Sequence, residues 1–133
     1  MLLWMGACVF VASGLRFDVD GYLRTGPFKP ATVFRRGETP RKETTPRPDS
    51  GFVVLLVEGA IAEQIDTARR FLKQHEEDFK SMRKHGVDNL LLNFGVERGW
   101  ELEQTDHLPP ELIAAMGQLG MGLAFSTVQL PRG

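Results

Sequence analysis

The sequence predicts an α+β fold, with a mostly antiparallel sheet and helices packed on one face. Three observations lead there. Short β-branched and aromatic runs recur along the chain, one long amphipathic helix stands among them, and two pairs of runs are joined closely enough to be antiparallel. The expected order is β-α-β-β-α-β-β-α-β. A length of 133 residues suits one domain over 1–133 with a substantial buried core.

Cys8 to Ser13 reads as the first strand, rich in β-branched and aromatic residues and ended by Gly14. Phe17 to Leu23 reads as a short helix. Asp18 is its N-cap, Val19, Tyr22 and Leu23 form its apolar face, and Gly26-Pro27 is its stop. Ala31 to Phe34 is a short second strand. Residues 38–49 hold three prolines, three threonines and alternating charges, a composition that favours an exposed, extended loop joining neighbouring strands. Phe52 to Val57 is apolar almost throughout, as a central strand is.

The clearest element follows. Ile61, Ile65, Ala68, Leu72, His75, Phe79 and Met82 recur at alternating spacings of four and three, which predicts one helix over 61–84 stopped by His85-Gly86. Leu90 to Val96 is the next strand. Trp100 to Gln104 alternates apolar and polar residues, as an edge strand does. Pro109-Pro110 opens the last helix, Leu112, Ile113, Met116 and Leu119 give its apolar face, and Leu123 to Val128 closes the sheet.

Composition narrows the function. Sixteen basic residues against seventeen acidic ones leave a formal charge of −1, so the broad basic field that holds nucleic acid or anionic lipid is missing. Neither a nucleic acid nor a membrane is expected as a partner. Met1 to Ala12 is apolar but lacks a basic lead-in and is too short to span a bilayer; Met5 is an alternative start. Cys8 is the only cysteine and lies in an apolar run, as a small buried hydrophobe does. A cytoplasmic location is the expectation.

Candidate chemistry is thin. His75, His85 and His107 form no metal-ligand spacing, and His75 falls on the apolar face of the long helix. Asp18-Val19-Asp20-Gly21 opens like a calcium loop, but Tyr22 and Leu23 stand where ligands are needed. Glu101, Glu103, Asp106 and His107 could supply an acid and a base, although a solvated sheet face explains them more simply. No nucleophile elbow or phosphate-cradling glycine loop is present. The expectation is no catalytic residue, no metal and no cofactor.

Two surfaces remain. Residues 97–111 carry five acidic residues and one basic one, and Trp100 adds an aromatic anchor of the kind interfaces favour. Trp100, Glu101, Glu103, Asp106 and His107 are thus a candidate interaction surface for a basic protein. Arg35 and Arg36 at a strand end are a candidate anion contact, with Glu38 beside them in a cleft.

The segments Leu15 to Asp20, Pro30 to Glu38, Ser50-Gly51-Phe52 and Pro109 to Leu112 together carry a resemblance. The chain resembles small bacterial proteins related to a widespread domain family of unknown function, over roughly residues 8–130. That resemblance implies an α+β fold and supplies no catalytic residues; some proteins of this kind are associated with immunity to bacterial toxins. The leading expectation is a non-catalytic protein-interaction module, of the immunity-inhibitor type, binding a toxin or effector. The alternatives are a small-ligand binder or enzyme using the Arg35, Arg36 and Glu38 cleft, and a structural homodimer paired through a sheet edge.

Overall fold

The computed structural model describes residues 6–39, 45–98 and 105–129. Among them, five strands form one sheet: β1 (Ala7–Gly14), β2 (Thr32–Phe34), β3 (Ser50–Glu58), β4 (Asn89–Arg98) and β5 (Met121–Gln129). The helices are α1 (Val19–Thr25), α2 (Ile61–Gln74), α3 (Glu76–Lys84) and α4 (Pro110–Gln118). The fold is α+β, as the residue patterns predict.

The strand order is β2-β3-β1-β4-β5. β1 lies at the centre, antiparallel to β3 and β4, and β2 is antiparallel to β3. β5 breaks the pattern: it runs parallel to β4, with Leu90 opposite Met121 and Phe94 opposite Phe125. A parallel neighbour needs a crossover rather than a tight turn, and α4 lies within that connection. The expected strand over Trp100 to Gln104 lies outside the described residues.

Alternation along the strands makes one continuous core. Cys8, Phe10 and Ala12 from β1 share a face with Phe52 from β3 and Leu90, Leu92 and Phe94 from β4. Helical residues buried against them include Tyr22 of α1, Phe71 and Leu72 of α2, Phe79 and Met82 of α3, and Leu112 and Met116 of α4. Phe10 is the hub, its ring centroid within 6.2 Å of those of Phe28, Phe52, Phe71 and Phe79. The residues between them, Val9, Val11, Val53, Leu55 and Leu91, point to the opposite face. Leu56 is an extra residue in β3, because Cys8 pairs Val57 while Val9 already pairs Leu55.

The long helix is interrupted at one residue. His75 leaves the helical region (φ −111°, ψ 19°), so 61–84 is two helices rather than one. The cause is tertiary: the His75 ring packs against Phe28, from outside the helix, as well as Phe71, and its Nδ1 meets Asp78 at 2.7 Å. A side chain held on both sides fixes its backbone away from the helical geometry. The stop at Gly86 is as expected, with φ at 105° and Arg16 O only 2.4 Å from where a Cβ would stand.

The Pro/Thr-rich connection joins β2 to β3, which are antiparallel neighbours. Its base is closed by Gly37 N–H donating to Arg47 O and Arg47 N–H donating to Glu38 O. Residues 40–44 are outside the described set.

Candidate functional site

Asp18 caps α1 as the sequence implies, its Oδ1 accepting from Gly21 N–H at 3.1 Å. Asp20, in the first turn of the same helix, faces Arg35 at the end of β2. Arg35 Nε and Nη2 donate to its two carboxylate oxygens at 2.9 and 2.8 Å. Glu38 adds a second carboxylate, accepting from Arg35 N–H at 2.7 Å. The guanidinium beside Asp20 holds that carboxyl below its ordinary range, chiefly through the hydrogen bond. The Arg35 guanidinium is therefore already paired with Asp20, with a Glu38 carboxylate oxygen 3.8 Å from Nη1. Arg36 does not join it: its N–H donates to Ser50 Oγ and its Nη1 to Leu15 O. Asp18 thus serves as the cap of α1 and Asp20 as the partner of Arg35. Among the described residues, no group of three His, Cys, Asp or Glu side chains is placed to hold a metal.

Each described histidine has a structural setting. His85 Nδ1 donates to Ser81 O at 2.8 Å, and its ring meets Tyr22 edge-on at 5.4 Å. His75 is held by Asp78, and His107 is exposed. Burial pushes the Cys8 thiol up to about 12, so at neutral pH it stays protonated and unreactive.

Trp100, Glu101 and Glu103 lie outside the described residues. Asp106 is described, and it lines a cleft at the start of α2 together with Glu58 and Glu97. Carboxylates from β3, β4 and the segment before α4 thus border one opening. Its base is held by Gln64, a fully buried polar residue the apolar stripe passes over. Gln64 Nε2 donates to Gly59 O and Gly95 O at 2.9 and 2.8 Å, and Gly95 N–H donates to its Oε1 at 3.1 Å. The last β1–β4 partners are Cys8 and Phe94, so the amide takes the place of the next rung. A signal for it existed: position 64 is three after Ile61 and four before Ala68, inside the apolar face.

A second surface is the outer edge of the described sheet. β5 is nine residues long and contains neither a charge nor a proline. Leu123 and Phe125 are 43% and 45% exposed although both share the core-facing side, and Ile113 on α4 is 51% exposed. The opposite edge, β2, is only three residues long and ends at the Arg35 ion pair. Natural edges are usually blunted by charge, proline or shortness, as β2 is. β5 is not.

Among the described residues, no helix is long and apolar enough to cross a membrane. Compared with known proteins, the chain matches no family model, no curated sequence and no solved structure.

Proposed function

We propose that this chain is a protein-interaction module that acts by binding rather than by catalysis, in the cytoplasm. The observation that carries the reading is β5, an uncharged nine-residue strand at the edge of the described sheet, on which Leu123 and Phe125 are exposed. A partner strand added to such an edge gains main-chain hydrogen bonds, and alternate apolar side chains supply selectivity. Residues 97–111 carry five acidic residues against one basic one, and that net charge adds attraction for a basic partner. The narrower form of the proposal is an immunity-type inhibitor that binds a bacterial toxin or effector.

The test is co-expression and pull-down with the products of neighbouring genes, using the parent chain and Phe125→Lys. Binding by the parent that Phe125→Lys abolishes supports the reading. Absence of binding, together with no protection from a neighbouring toxin, would sink it. The same edge also favours a second reading, a homodimer in which two β5 strands pair antiparallel across a two-fold axis. Light scattering over a concentration series separates them, since a dimer lost in Phe125→Lys supports self-pairing.

A further inference from the structure

Far from β5 in the strand order, a cleft of about 650 Å³ opens between the Pro27–Lys29 turn, β3 and α2. That volume is ordinary for a small-molecule site. Its wall is apolar, made by Phe28, Phe71, Val54 and Leu56. His75 extends the wall, its ring centroid 4.7 Å from that of Phe28 and 4.8 Å from that of Phe71. Asp78 fixes this ring from behind. A carboxylate only accepts, so His75 Nδ1 carries the proton in their 2.7 Å contact, and the imidazole is held in one orientation.

Charge in the cleft has one sign. Lys29 and Arg70 are among its lining residues and no carboxylate is. Arg70 is tethered to Asp66 at 3.2 Å, one turn back along α2, whereas Lys29 makes no ion pair among the described residues. One cation without an ion pair among the described residues, beside one already paired, matches a single negative charge better than a phosphate dianion.

We infer that this cleft binds a small amphipathic anion, a flat apolar body ending in a carboxylate. The Phe28, Phe71 and His75 rings take the body through ring-to-ring contact, and Val54 with Leu56 takes its aliphatic part. Lys29 and Arg70 take the carboxylate. The site needs no strand partner and stands whether or not β5 is an interface.

The experiment is an amide NMR titration of the full chain with phenylbutyrate, its neutral amide and inorganic phosphate. Phenylbutyrate is expected to shift amides at Phe28, Lys29, Leu56 and Phe71, and to bind about fivefold tighter than the amide, the scale of one exposed ion pair. Lys29→Glu should erase that preference for the acid over the amide. Thr67→Trp, which fills the mouth, should remove binding of both; Lys29 is exposed, so its variant carries the test if Thr67→Trp does not fold. Absence of shifts, shifts mapping elsewhere, equal binding of acid and amide, or phosphate binding as tightly as phenylbutyrate would each overturn the assignment.

Discussion

Replacing Gln64 by methionine keeps the length of a buried side chain and removes its amide. Three backbone groups then lose their partner: Gly59 O, Gly95 O and Gly95 N–H. A buried polar group left unpaired costs about 1–3 kcal/mol, so the two buried groups of Gly95, with the part-buried Gly59 O adding less, amount to about 3 kcal/mol. Methionine packs well in a core and recovers little of this, because the lost contacts are polar. For a domain of this length, that loss lowers the melting temperature by roughly 10 °C. Urea unfolding followed by circular dichroism reads the loss directly. Gln64→Glu should be worse at neutral pH, since a carboxylate donates to neither carbonyl and is charged in a buried site. A Gln64→Met variant within about 0.5 kcal/mol of the parent would falsify the claim that the amide closes the sheet beyond Cys8 and Phe94.

Two further outcomes follow from the core. Cys8 has a folded pKa of about 12 against an ordinary 9.0, and Tyr22 one of about 12 against 10.0, each chiefly through burial. Both are raised, so their stabilisation is complete below pH 9 and is lost as pH climbs towards 12. For Cys8 the loss reaches about 4 kcal/mol. Denaturation at stepped pH should show Cys8→Ala with a shallower alkaline decline than the parent, and equal slopes would refute the burial argument. Gly51→Ala should cost about 2 kcal/mol or more, because a Cβ there would stand 2.3 Å from Ala12 O and 2.5 Å from the Phe34 ring. A thermal melt checks it, and an unchanged midpoint would mean the β2–β3 contact is looser than it looks.

Much of the fold was legible because periodicity reports burial. Tyr22, Phe79 and Met82 lie where their spacing puts them, and Asp18 caps where its side chain can reach Gly21. The helix break at His75 was not legible, because its cause is Phe28, a residue 47 positions away that meets the ring only after folding. Nor was the direction of β5. An alternating run at Trp100 to Gln104 reads as a hairpin partner, and nothing local to Met121–Gln129 says that it lies parallel to β4. The candidate surfaces fared unevenly for a related reason. Charge can be counted along a chain, but whether a charge is already answered depends on distant residues, as Asp20 answers Arg35. The aromatic cleft draws on the Pro27–Lys29 turn, β3 and α2, three segments with no shared motif.

The central position of β1 also bears on how the molecule comes together. Phe10 pairs with Val54 on one side and Leu92 on the other, so the earliest strand waits for partners 44 and 82 residues later. Closing such long loops precedes any reward from the contacts they make, which slows folding relative to a helical bundle of equal size. During synthesis, an apolar strand remains unsheathed until β4 has emerged. An apolar strand left unpaired in this way is open to aggregation, and a holdase that masks Ala7–Gly14 should raise the yield of folded protein.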